Sequence, residues 1–289
     1  MQIHKILNNN VAIILDAQGQ ESVVMGRGLC FGKKAGSKLN PEQIEKIFAL
    51  ESPAARERYA NIAQEVHPVS VLAAEHVISK AENTLGKRLN ENIHVSLTDH
   101  IQFALTRFER GLALKNAMLW DIRRMYPEEF RLGMHALDII EEHKGIRLPD
   151  DESAYIAMHL VSAELDGSLS EVADITKIVT DCIQIIVHHF KMTLDTESLS
   201  FYRLLTHLKF FAQRLLQHHL YEDSDDDSFY VLIRHKYKEA YACVQRIAHY
   251  AVSIYDIALT HEELLYLTIH IERILRSREE EKDKRKSHL

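Results

Sequence analysis

Four histidines in this chain recur at matched places in two copies of one pattern. Glu152, Tyr155 and His159 stand at i, i+3 and i+7, and so do Glu263, Tyr266 and His270. That spacing puts all three on one helix face, with apolar residues filling the remaining turns. Upstream, His100 precedes Arg107 by seven residues, and His207 precedes Arg214 by the same interval. A neutral imidazole near its pKa is a competent nucleophile at neutral pH, and phosphorylation would exchange it for a dianion-like group. Arg107 and Arg214 would pair with that charge, while Glu152 and Glu263 would orient a ring tautomer. A lone histidine on an apolar helix is usually a satisfied core residue. Four at equivalent places are harder to explain by packing, yet spacing alone leaves a phosphoryl switch and a structural repeat both open.

The chain has 18 histidines, so some are incidental. His188-His189 and His218-His219 read as surface or capping residues. There is no HExxH motif and no cysteine-supported ligand spacing, so neither a metal nor any other cofactor is expected.

The elements that must position these residues form a duplicated unit of about 110 residues, too long for a solenoid and suited to tandem domains. A chain of 289 residues has room for two or three domains with cores of their own. From residue 69 onward the apolar period is helical. The first copy reads as helices over 69–85, 98–108, 117–126, 133–143 and 149–167. The second reads as helices over 172–190, 198–219, 229–255 with an interruption that the pattern does not place, and 260–276. Thr260 with Glu263 has the form of a capping box. Residues 1–38 read instead as short strands over 1–7, 11–15, 22–25 and 29–31. Asn8-Asn9-Asn10, Gln18-Gly19 and the segment from Gly32 to Gly36 punctuate them as turns. The expected fold is multidomain α+β. A small four-stranded antiparallel head spans 1–56, a helical linker 57–66, two all-α helical bundles 67–170 and 171–278, and a solvated charged tail 279–289. So small a sheet has little core alone, and self-association is expected.

Charge narrows the function classes. The chain carries −7 overall, but residues 1–38 hold Lys5, Arg27, Lys33, Lys34 and Lys38 against Asp16 and Glu21. A basic head on an acidic body permits a local contact with polyphosphate rather than a broad nucleic-acid coat. No apolar run approaches a membrane span, and no signal-peptide core opens the chain. Cys30, Cys182 and Cys243 stand alone, as a reduced cytoplasm permits.

Lys5-Ile6-Leu7-Asn8-Asn9-Asn10-Val11 and Met25-Gly26-Arg27-Gly28-Leu29-Cys30-Phe31-Gly32-Lys33 resemble the signature segments of the co-antiterminator RNA-binding domain. After them come Thr98-Asp99-His100, Ala157-Met158-His159, Thr206-His207 and Ile269-His270. In that order the segments are similar to the β-glucoside operon antiterminator family over nearly the whole chain. The resemblance implies a cytoplasmic homodimer, not an enzyme, whose head binds a hairpin in nascent leader RNA and blocks an overlapping terminator. It implies that the helical units are PTS regulation domains, phosphorylated on His100, His159, His207 and His270. The donors would be a sugar-specific enzyme II of the phosphotransferase system, typically inhibitory, and the carrier HPr, typically activating.

Residue chemistry agrees with that implication. Asn8, Asn9 and Asn10 offer amides to unpaired base edges, and Gly26, Arg27 and Gly28 let backbone approach a phosphate. Phe31 could stack on a splayed base or turn inward as a core aromatic; Lys5 and Lys33 would contact phosphates. Asp99 before His100 departs from the second copy, which has Thr206 there, and could fix the ring or cap the helix. Two other functions compete. A DNA-binding activator with the same regulatory domains would need a helix-turn-helix head, and a histidine-dependent phosphotransfer enzyme would need a phosphate loop or nucleophile arrangement that is not present.

Overall fold

Alternating apolar residues at the N-terminus build a twisted antiparallel sheet of β1 (Gln2–Ile6), β2 (Val11–Leu15) and β3 (Glu21–Met25), with a three-residue edge strand β4 (Lys46–Phe48). The computed structural model describes residues 1–15, 21–26, 28–44, 46–48, 53–224 and 226–286; the side chains of 46, 48, 53, 55, 56, 64 and 278–286 are outside the description. The expected turn at Gln18-Gly19 and the candidate RNA contact Arg27 lie outside the described residues.

Three of the four expected strands form, and the fourth does not. Residues 29–31 are a succession of turns in which the Phe31 N–H donates to the Gly28 carbonyl at 3.0 Å. Gly28 at φ 65° takes the left-handed conformation that only glycine adopts at no steric cost, so the chain coils there instead of extending. The sheet instead gains β4, where Val23 pairs with Phe48 and Met25 with Lys46.

Both sheet faces are buried. Ile3, Ala12, Ile14 and Val24 pack under Leu29, Cys30 and Leu39 from the loop that follows. On the other face, Val11, Ile13, Val23 and Met25 pack on Tyr59, Ala60 and Ala63 of α1 (Pro53–Glu65) and on Val71. The core missing from so small a head therefore comes from the connector helix of the same chain.

The remaining helices are α2 (Pro68–Leu85), α3 (Asn92–Glu109), α4 (Leu119–Met125), α5 (Pro127–Lys144), α6 (Asp151–Leu165), α7 (Leu169–Phe190), α8 (Leu199–Leu216), α9 (Ser228–Lys236), α10 (Lys238–Tyr255) and α11 (His261–Lys286). They fall into two compact units, Met1–Val172 and Ala173–Leu289. In the first unit, α2, α3, α5 and α6 bury Val77, Ile78, Leu97, Ile101, Leu105, Leu137, Ile140 and Leu160. Each such side chain contributes about 1.5–3 kcal/mol through apolar burial. In the second, Leu204, Leu208, Phe211, Val244, Ile247, Leu267 and Ile271 are buried likewise.

Several expected boundaries move. Helix α3 begins at Asn92, where the Asn90 side chain accepts from the Asn92 N–H at 2.9 Å. Helix α5 begins at Pro127, at the first position, where a missing N–H costs nothing. The interruption in 229–255 falls at Tyr237, with φ −115° and ψ 57°. Tyr126 breaks the first copy at the matching place with φ −131° and ψ 59°. Helix α11 runs on to Lys286, ten residues past the expected end.

Candidate functional site

Helices α3 and α6 bring the first pair of histidines together. The rings of His100 and His159 have centroids 4.9 Å apart, tilted by 45°. Acidic Asp151 and Glu152 open α6 at the favourable end of its dipole. The Glu152 carboxylate, buried, then serves both neighbours. Its Oε1 accepts from the Arg107 guanidinium at 2.7 Å, and its Oε2 lies 3.2 Å from Nε2 of His100, without completing a hydrogen bond to it. Burial, with the neighbouring His100 ring second, pushes the His159 pKa down to about 3. That ring is neutral at physiological pH.

Helices α8 and α11 repeat the arrangement more tightly. His207 and His270 stack with centroids 3.5 Å apart and planes 30° apart. Glu263, fully buried, takes a two-pronged bond from Arg214, Nε to Oε1 at 2.7 Å and Nη2 to Oε2 at 2.8 Å. The Tyr221 N–H also donates to it, at 3.2 Å. The capping box read from Thr260 is thus half formed. The Glu263 N–H donates to Thr260 Oγ1 at 3.3 Å, but the carboxylate is committed to Arg214. Desolvation, then His207 and Arg273, lowers the His270 pKa to about 4, and desolvation, then Arg273 and Arg214, lowers that of His207.

All four candidate histidines therefore sit in two clusters with Glu152 and Arg107 or Glu263 and Arg214. Asp99 does not join them. It lies exposed within α3, neither capping the helix nor touching the His100 ring. Tyr266 was not among the expected supporting residues, although its place in the repeated Glu–Tyr–His spacing marked it. Its hydroxyl lies 2.7 Å from Nδ1 of His207. The hydroxyl of Tyr155, its counterpart, turns to the Lys115 carbonyl at 3.5 Å, while its ring packs on that of His100 with centroids 5.7 Å apart. Among the described residues no group of histidine, cysteine and carboxylate side chains could hold a metal ion.

In the head, the two signature segments are zipped together. The Gly26 N–H donates to the Asn10 carbonyl and the Cys30 N–H to the Asn9 carbonyl, both at 2.9 Å. The Asn10 side chain accepts from the Gly28 N–H at 2.7 Å. Asn8 faces inward: its Oδ1 accepts from the N–H groups of Asn10 and Val11 at 2.8 and 3.0 Å, and its Nδ2 donates to the Ala63 carbonyl at 2.7 Å. Asn9, Lys5 and Gly28 are exposed, and Lys33 reaches Gln43 at 3.2 Å. Phe31 is 77% exposed, which removes the reading of it as a core aromatic.

The CAT RNA binding domain matches residues 1–57, and the PRD domain matches residues 75–163 and 180–274. The chain is 43% identical over 276 residues to the transcription antiterminator LicT of Bacillus subtilis (strain 168), covering 96% of this chain and 99% of that one. It is 41% identical over 274 residues to the beta-glucoside operon antiterminator of Dickeya chrysanthemi, covering 95% and 96%. The crystal structure of GlcT CAT-PRDI superposes with a TM-score of 0.50 at 34% identity, over 56% of this chain and 96% of that one. No helix among the described residues is long and apolar enough to cross a membrane. This chain belongs to the transcription antiterminator family, built from a CAT RNA-binding domain followed by two PRD domains.

Proposed function

We propose that the chain is a cytoplasmic, homodimeric antiterminator whose head holds a leader-RNA hairpin ahead of sugar-utilisation genes, those for β-glucosides by its relatives' names, under the control of histidine phosphorylation. The head spans 1–56, the linker 57–66, and the two regulatory domains 67–170 and 171–278. Asn9, Phe31, Lys5, Lys33 and the backbone of Gly28 meet the RNA, with Arg27 beside Gly28 in sequence, while Gly26, buried with its N–H on the Asn10 carbonyl, holds the loop together instead of touching the transcript. Asn8 and Asn10 shape the loop that presents them.

The observation that carries the reading is the twofold occurrence of one arrangement, a histidine pair beside a buried glutamate–arginine pair. A neutral ring in each pair has a lone pair for attack on the phosphorus of a donor phosphohistidine, on enzyme II or HPr. A new N–P bond forms on this chain, the donor N–P bond breaks, and the donor imidazole leaves with its electron pair. The product carries about −1.5 to −2 charges at pH 7. Beside Glu152 that charge is repelled, and Arg107 gains a stronger partner than the one it holds. A tenfold population shift needs only about 1.4 kcal/mol of differential free energy.

Phosphopeptide mapping after incubation with HPr alone, and then with enzyme II, tests the reading. Label at His100, His159, His207 or His270 is expected. In an antitermination reporter, His100→Asp and His159→Asp should lower read-through, and alanine at either should leave it high without inducer. Label confined to other residues would end the proposal.

A further inference from the structure

Each helical unit places a cavity beside its second histidine, and the two cavities differ in charge. In the first unit a cavity of about 140 Å³ is lined by Asn90, Asn92, Ser96, His159, Ser162 and Asp166. In the second, a cavity of about 420 Å³ is lined by Ser200, Arg203, His270, Arg273, Arg276 and Ser277. The lining positions correspond through the repeat. Arg203 stands where the first copy has Ser96, Arg273 where it has Ser162, and Ser277 where it has Asp166.

In the first cavity the Asn90 amide donates to the Asp166 carboxylate and the Ser162 hydroxyl to the Gly167 carbonyl. In the second, Arg276 is engaged by Glu272 at 2.9 Å and by the Tyr237 ring, but Arg203 and Arg273 have no carboxylate at ion-pair distance among the described residues. The Ser200 and Ser277 hydroxyls lie 2.7 Å apart at the wall. Guanidinium groups gathered at one concavity repel unless an anion joins them, and their planar forks match the oxygens of a phosphoryl group. The space is that of a small-ligand pocket.

We propose that this cavity is a phosphate site, in which Arg203 and Arg273 grip a dianionic phosphoryl group against His270, with the Ser200 hydroxyl as a further donor, that of Ser277 being given to the Arg273 carbonyl at 2.9 Å. No arginine or lysine lines the corresponding cavity of the first unit. The same chemistry serves free phosphate and a phosphoryl group already joined to a ring nitrogen. Only the second source rests on the phosphorylation reading.

The test titrates inorganic phosphate into the full, unphosphorylated chain at constant ionic strength, read by calorimetry. Without a donor protein no N–P bond forms, so the outcome does not depend on histidine phosphorylation. Saturable binding is expected, weakened about tenfold by Arg203→Gln or by Arg273→Gln and partly restored by lysine at either position. Arg246→Gln, an exposed cation elsewhere in the unit, should leave it unchanged. A second arm uses chain phosphorylated by HPr: a phosphoryl group on His270 fills the cavity and abolishes the titration, while one elsewhere leaves it intact and makes free phosphate the occupant. Both substituted residues are exposed, and circular dichroism checks that the variants fold. No saturable binding, or binding that neither glutamine variant weakens, would overturn the proposal.

Discussion

The Tyr266 hydroxyl lies 2.7 Å from Nδ1 of His207, so Nε2 is the ring nitrogen that this bond leaves open. In the first unit the opposite nitrogen faces the polar neighbour: the Glu152 carboxylate lies 3.2 Å from Nε2 of His100 without completing a hydrogen bond, so its charge favours a proton on Nε2 and leaves Nδ1 open. With the proton on the nitrogen of His207 that Tyr266 contacts, and on the nitrogen of His100 that the carboxylate faces, the other nitrogen of each ring keeps its lone pair for attack. Phosphorylation of His207 is therefore expected on Nε2, and that of His100 on Nδ1. Phosphorus and nitrogen NMR of the modified chain distinguishes the two isomers, and one isomer at both residues would refute the assignment.

His159 and His270 make stability depend on pH. Their pKa values are held at about 3 and about 4, first by burial. In the unfolded chain each ring titrates near 6.5. Stability is therefore complete above that value and falls with pH, because the unfolded rings take up protons that the folded ones refuse. Between pH 7 and pH 5 each ring should cost about 2 kcal/mol. Denaturant titrations of wild type and His159→Gln measure the difference, and the variant should lose about 2 kcal/mol less. Equal losses would mean that His159 titrates normally.

Glu263→Ala should destabilise the second unit by about 3–5 kcal/mol, because it strands the Arg214 guanidinium and the Tyr221 N–H together. Replacing both charges, as Arg214→Met with Glu263→Leu, should recover most of that. Urea melts followed by circular dichroism give both values. A double variant no more stable than Glu263→Ala would show that the pair supplies net stability.

In the head, Asn9→Ala and Phe31→Ala should each weaken hairpin binding, Phe31→Ala by about 1–3 kcal/mol if a base stacks on it, with thermal stability unchanged. Asn8→Ala should lower the melting temperature, since it removes hydrogen bonds to three backbone groups. Titration of labelled RNA at fixed salt, beside a thermal scan, separates the two effects. Asn8→Ala with a wild-type melting temperature would contradict this division.

The second copy holds non-glycine residues where the first uses glycine. His218 at φ 53° matches Gly111 at φ 73°, and Asp256 at φ 56° matches Gly145 at φ 70°. His218→Gly should therefore raise stability by up to about 1 kcal/mol, the relief of a left-handed side chain less the added freedom of the unfolded backbone. A lower melting temperature in that variant would count against it.

The same substitution pattern explains where the sequence could be read and where it could not. Proline and glycine mark the breaks of the first copy, so its helices from 69 to 167 stand out. The break at Tyr237 has no such marker: Lys238 occupies the place of Pro127, and only superposing the copies reveals it. The histidine clusters were legible because both copies carry them. Arg203 and Arg273 were not, because a search for what repeats passes over what differs. Residues 29–31 misled for a local reason: three apolar side chains between glycines satisfy the strand pattern, and backbone freedom at Gly28 then decides for the turn.

One amide joins two tasks in the first unit. Asn8 holds the loop of the proposed RNA contacts with its oxygen and the last turns of α1 with its nitrogen, at the Ala63 carbonyl. A few residues back along α1, the Tyr59 hydroxyl donates at 3.0 Å to Glu75, which also lies 2.7 Å from Nδ1 of His94 on α3. The helix that carries His100 is thus linked by hydrogen bonds, through one carboxylate and one carboxamide, to the loop that carries the proposed RNA contacts. Asn8→Ala or Glu75→Gln would cut that line of contacts at one end or the other.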